Sequence, residues 1–171
     1  MACSKTRAPR PGPPMQRGAR AAGLRWQARG TNVMKIIVVS DTHQAHSVLG
    51  TLEGNVLIHC GDFSIDGRHE ELEIKALDQW FSKQRFEHIL CTGGNHDFLV
   101  QKLAGQGDVV FKNADYLQDH EIIIENIKFY GSPWIPELLG RAHYREEPEL
   151  IEAWTRIPRD TAVLITHTPP F

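Results

Sequence analysis

From Met34 onward the chain repeats one pattern: a short run of β-branched and other apolar residues leads straight into side chains that can hold a cation. Residues 35–40 lead into Asp41-Thr42-His43, residues 55–59 into Gly61-Asp62, and residues 88–92 into Gly93-Gly94-Asn95-His96-Asp97. Near-continuous apolar runs of this length are expected of sheet strands covered on both faces. Helical periodicity fills the intervals, so the pattern predicts an α/β layered domain. Over 68–84, Leu72, Ala76, Leu77, Trp80 and Phe81 recur at helical spacing and define a buried face, with Glu70, Glu71 and Glu73 on the solvated side. Shorter helices are expected around 47–52, after Asp97, and over 148–155, where Pro148 suits a first helical turn. Residues 120–130 alternate as a hairpin turning at Glu125-Asn126, which implies a second sheet, and residues 161–166 form a strand that delivers His167.

In open α/β sheets, side chains directly after the strands gather at one edge, where ligands bind. If the backbone stays extended, Asp41 and His43 point the same way and share one ion. Asp62 offers two carboxylate oxygens, enough to bridge two cations. Asn95 supplies an amide oxygen, the uncoordinated imidazole of His96 is free to donate a proton, and His167 adds a further loop. Each fragment alone is common. Their ordered recurrence after strands is the specific signal. The competing interpretation is that Asp41, Asp62 and Asp97 only cap helices or form turns. His46, His69, His88, His120 and His143 have no partner at ligand spacing and read as surface or core, whereas His59, inside a strand, reads as buried or as support for the site. Trp80 and Trp154 read as core, and Trp134 as a residue lining the cleft.

Charge is unevenly divided. Residues 1–33 hold seven of the 19 Lys+Arg and no acid, which leaves 12 basic against 21 acidic residues in 34–171. An acidic domain suits a cation-binding cleft and argues against general nucleic-acid binding, which needs clustered Lys and Arg. Cys3, Cys60 and Cys91 show no CxxC spacing, so no disulfide framework or thiolate zinc site is expected. With no apolar run long enough to span a bilayer, a cytoplasmic protein without membrane association is the expectation. The Arg-, Gly- and Pro-rich segment 1–33 reads as a disordered leader; a transit peptide and a natural start at Met34 are its two explanations.

The ordered set resembles the calcineurin-like metallophosphoesterases, whose pattern is D-x-H, G-D, G-N-H-[DE], a later H and a final G-H-x-H. The likeness runs from about Met34 to Phe171. Tyr116-Leu117-Gln118-Asp119 and Tyr130-Gly131-Ser132-Pro133-Trp134 are similar to the metallophosphoesterase-domain-containing branch. The resemblance implies an α/β four-layer αββα sandwich of mixed β-sheets, incomplete at its C-terminus because no G-H-x-H follows His167, with apolar strand edges left open as a result. It further implies two divalent ions, drawn from manganese, iron, zinc or magnesium. Asp41 and His43 would hold the first ion, Asp62 would bridge, and Asn95 and His167 would hold the second. His96 would be the acid for the leaving group, oriented by Asp97 or Asp66. The implied activity is phosphatase or phosphodiesterase hydrolysis of a small phosphate ester, with nucleotides among the candidates; the alternative is a catalytically silent metal- or nucleotide-binding truncated homologue.

Overall fold

The computed structural model describes residues 33–65, 69–136 and 138–168. The expectations for the leader up to Asn32 and for Asp66 lie outside the described residues. Strands β1 (Ile36–Val39), β2 (Val56–His59), β3 (His88–Cys91) and β4 (Asp115–Tyr116) form a parallel sheet in that order. Helices α1 (Glu70–Phe81) and α2 (Phe98–Gln106) belong to its crossovers, and a 3-10 turn (Ala45–Leu49) replaces the helix expected at 47–52. The second sheet comprises the antiparallel pair β5 (His120–Ile124) and β6 (Ile127–Ser132), with β7 (Val163–Thr166) parallel to β6. Its hairpin turns at Glu125 and Asn126, both at positive φ (48° and 67°). That is the twist-matched two-residue turn of tight hairpins.

Alternation along β1–β3 builds two cores on opposite faces of one sheet. Leu57, Ile89 and Cys91 pack with Ile74, Leu77, Trp80, Phe81 and Val100 of the helices. Val56, Ile58 and Leu90 pack with Ile124, Phe129 and Ile165 of the second sheet. Leu77, Trp80 and Phe81 of the expected α1 face are buried, whereas Leu72 and Ala76 are exposed and the first turns are buried through other residues. Ile74 is buried, Leu72 is 68% exposed, and Glu70 is buried rather than solvated. The Glu70 carboxylate accepts the backbone N–H groups of Phe98 and Leu99 and so caps α2, satisfying donors that a helix start leaves open. That partnership spans 28 residues, beyond the reach of local periodicity.

The strand β1 is not covered on both faces as expected. Ile36 faces the second sheet, and Val38, two residues on, remains 60% exposed at the sheet edge. The layer outside the second sheet is thin. Helix α3 (Glu147–Thr155) packs through Leu150 and Ala153 on Trp134 in a cluster of its own, while Ile123 and Leu164 stay 60% and 39% exposed. Trp134 is therefore a buried packing residue and does not line a cleft. Among the described residues, no helix is long and apolar enough to cross a membrane.

Candidate metal centre

The register sets the strand ends level, pairing Val39 with His59 and His59 with Cys91, so the loops that follow leave from one edge. Two of these loops stay laced together beyond the strands: Asp41 N–H donates to Gly61 O (3.0 Å), His43 N–H to Asp62 O (3.1 Å) and Gln44 N–H to Phe63 O (3.1 Å). The extended backbone expected for Asp41-Thr42-His43 does not form. Asp41, His43 and Asp62 all take positive φ (52°, 40° and 56°), a conformation costing an L-residue about 1–2 kcal/mol. Strain of this kind, repeated at three polar residues on one edge, is typical of functional sites.

These turns bring Asp41, His43, Asp62, Asn95 and His167 into one cluster. Donor atoms of Asp41, Asp62 and His167 lie within 4.8 Å of one another. The two oxygens of Asp62 face different histidines, Oδ2 lying 3.6 Å from His43 Nε2 and Oδ1 lying 3.5 Å from His167 Nε2. Asn95 Oδ1 sits 3.0 Å from that same His167 Nε2. His96 borders the cluster, its ring 5.0 Å from that of His43 and its backbone N–H donating to Asp62 Oδ1 (2.9 Å). Gly94 has to be glycine here, since a Cβ would fall 2.3 Å from Asp62 Oδ1.

Backbone carbonyls fix the tautomer of each histidine. His43 Nδ1 lies 2.8 Å from Ser64 O, His96 Nδ1 2.6 Å from Ile65 O, and His167 Nδ1 2.9 Å from Cys60 O. A carbonyl only accepts, so each Nδ1 carries the proton and each neutral ring presents an Nε2 lone pair. Around His167 Nε2 the neighbours are then carboxylate and amide oxygens, and acceptors face acceptors. Such a set of mixed nitrogen and oxygen donors, with the outer nitrogen of each imidazole anchored, fits a divalent metal ion.

Asp97 plays a different part from the one expected. Rather than orienting His96, a task that falls to Ile65 O, its buried carboxylate accepts N–H groups from Asp62 (2.8 Å), Phe63 (2.9 Å), Ser64 (3.0 Å) and Gly94 (2.8 Å). Burial pushes this carboxyl up to about 7, against the pull of those donors. His59 is likewise structural. Its Nδ1 accepts Gly61 N–H (3.3 Å), so its Nε2 donates to Thr42 Oγ1 (3.0 Å), holding Thr42 between two cluster residues.

Burial drives both His59 and His143 down to about 3. An unfolded imidazole titrates near 6.5, so between about pH 6.5 and 3 the unfolded chain binds protons that the fold refuses. The contribution of each histidine is therefore full above that window and falls as pH falls through it, at up to about 1.4 kcal/mol per pH unit. The raised Asp97 carboxyl takes up its proton over the same range and works in the opposite sense, so the histidine contribution is read as a difference: between pH 7.5 and 5 in urea, His59→Gln should lose less stability than the parent.

A parallel sheet whose carboxyl edge gathers such donors, backed by a second sheet that delivers His167, defines an α/β sandwich with a candidate metal centre. By the match of residues 34–171 to the calcineurin-like phosphoesterase family model, the chain belongs to that family. It is 37% identical over 158 residues to UPF0046 protein K07C11.7 of Caenorhabditis elegans, covering 82% of this chain and 53% of that protein. It is also 30% identical over 160 residues to metallophosphoesterase domain-containing protein 1 of Homo sapiens and of Mus musculus, covering 80% of this chain and 48% of each. Those names match the branch expected from the Tyr116 and Tyr130 segments. The chain spans about half the length of these curated relatives.

Proposed function

We propose that this chain carries a two-ion centre for hydrolysis of small phosphate esters. Asp41, His43 and Asp62 would hold one ion, Asp62, Asn95 and His167 the other, and His96 would protonate the leaving group. The observation that carries this reading is the placement of Asp62, whose two oxygens face imidazoles on opposite sides. When bound, a pair of divalent ions polarises the phosphoryl oxygens and acidifies water. The protein's own part is to aim the Nε2 lone pairs of His43 and His167 into the cluster, through their Nδ1–H anchors, and to keep the loops rigid through Asp97. His96, anchored at Nδ1, would serve as the acid in its doubly protonated form: its partial exposure lets Nε2 take up a proton from solvent, and that Nε2–H then passes to the departing oxygen.

The test is hydrolysis of p-nitrophenyl phosphate, its bis ester and the corresponding alkyl esters by the full chain with manganese, with and without chelator. Turnover should vanish on chelation. His96→Ala should lower kcat on alkyl esters by about 10²–10⁴, and less on the nitrophenyl esters, whose leaving group needs little protonation. Binding of manganese without turnover would instead identify a silent metal-binding module.

A further inference from the structure

His143 joins two features that are unfavourable in isolation. Its ring is fully buried with neither nitrogen partnered among the described residues, and its backbone sits at φ 57°, in the left-handed region. Unpartnered buried nitrogens and a left-handed non-glycine backbone both destabilise a fold, so something else must hold the residue there. The ring occupies the space a side chain at Gly93 would need: a Cβ there would lie 2.2 Å from His143 Nε2 and 2.8 Å from its Cδ2. Gly93 and Gly94 form the turn that ends in Asn95. On the next residue of that turn, a Cβ at Gly94 would instead meet Asp62. The turn is thus wedged between the Asp62 loop and the His143 ring.

The same loop holds Asn95 directly, since Ala142 N–H donates to Asn95 O (3.2 Å). Behind the ring the support is continuous. Ile135 N–H donates to His143 O (3.0 Å), and the Trp134 ring lies 5.9 Å from the imidazole. The indole Nε1–H of Trp134 is shared by both oxygens of Asp119 (2.9 and 2.8 Å), which Arg156 grips at 3.0 Å. On the face of Trp134 rests the Arg145 guanidinium, 4.2 Å from the ring centre. We propose that His143 is a positioning residue for Asn95, acting by the shape of its ring rather than by its nitrogens, and so governs occupancy of the ion that Asn95 and His167 would share. This rests on the two-ion reading above.

The experiment compares the full chain with His143→Ala, His143→Phe and Gly93→Ala by manganese calorimetry, kcat and KM, and amide hydrogen exchange of the metal-free protein. His143→Ala should weaken one of the two manganese sites by about 10–100-fold, the scale of losses seen when support for a ligand is removed, and should lower kcat more than it raises KM. His143→Phe should restore both sites, and Gly93→Ala, whose Cβ displaces the ring, should behave like His143→Ala. In the metal-free chain the Ala142 amide should exchange faster in His143→Ala and at the wild-type rate in His143→Phe. Wild-type affinity in His143→Ala, or equal losses in His143→Phe and His143→Ala, would overturn the proposal. A wild-type chain that takes up no manganese would instead fail the two-ion reading, and the Ala142 exchange rates would still decide whether the ring positions the Asn95 turn. Should His143→Ala not fold, His143→Phe decides alone: two sites support the proposal and one site overturns it.

Discussion

Asp62→Asn is expected to abolish metal-dependent turnover, with a loss of at least about 10³-fold, or about 4 kcal/mol of transition-state stabilisation. The substitution keeps one oxygen to accept the His96 N–H at 2.9 Å, so the loop retains that anchor. What it removes is the negative charge shared between His43 and His167 at 3.6 and 3.5 Å, which is what would hold two cations close together. Stability should respond in the opposite sense. Asp41 and Asp62 crowd one edge of an acidic domain, and relieving that repulsion should leave the metal-free Tm unchanged or higher, as is common where a site trades stability for function. Manganese should raise the Tm of the parent chain and leave that of Asp62→Asn unmoved. Turnover within tenfold of the parent would remove Asp62 from the centre.

Asp97→Ala should be the most destabilising single change on this edge. It orphans four buried N–H donors, from Asp62, Phe63, Ser64 and Gly94, each costing about 1–3 kcal/mol when left without an acceptor or water. Even with partial relaxation the loss should exceed about 4 kcal/mol, a large share of the stability of an ordinary domain. Urea unfolding reads this directly. Asp97→Asn keeps one acceptor oxygen but sets an amide donor against the other N–H groups, and should fall between the two. A cost below about 1 kcal/mol for Asp97→Ala would show that water replaces the carboxylate without penalty.

These two aspartates mark the limit of what the sequence discloses. Asp62 is legible because it follows a glycine directly after an apolar strand, and strand ends in a parallel sheet share an edge whatever the details of packing. The same edge carries Asp41, His43 and Asn95, whereas His167 follows β7 of the second sheet and is legible only as a histidine at a strand end. Asp97 stands beside them in the motif, yet it binds residues 62–64, a contact between the loops after β2 and β3 with no local signature. Glu70 is hidden from local sequence for a similar reason. In a helix with three acids in its first turn, only the position of α2 decides which of them is buried.

The stripe of α1 shows a subtler failure. Leu72 and Ile74 are both apolar and two residues apart, so periodicity alone allowed either phase, and the sheet beneath selected Ile74. The left-handed backbones of Asp41, His43 and Asp62 were equally hidden, since none is a glycine and only the lacing of their loops enforces them. His143 carried no signal at all, because its partner is the missing side chain of Gly93. Local chemistry, then, was readable as far as strand ends fix it, and long-range support for that chemistry was not.

Anomalous diffraction from crystals of the chain grown with manganese distinguishes a two-ion centre bridged by Asp62 from any other arrangement. Two manganese peaks are expected to flank the Asp62 carboxylate, one beside Asp41 and His43 and the other beside Asn95 and His167. A single peak bound by one oxygen of Asp62, or no peak at this edge, would contradict the two-ion centre.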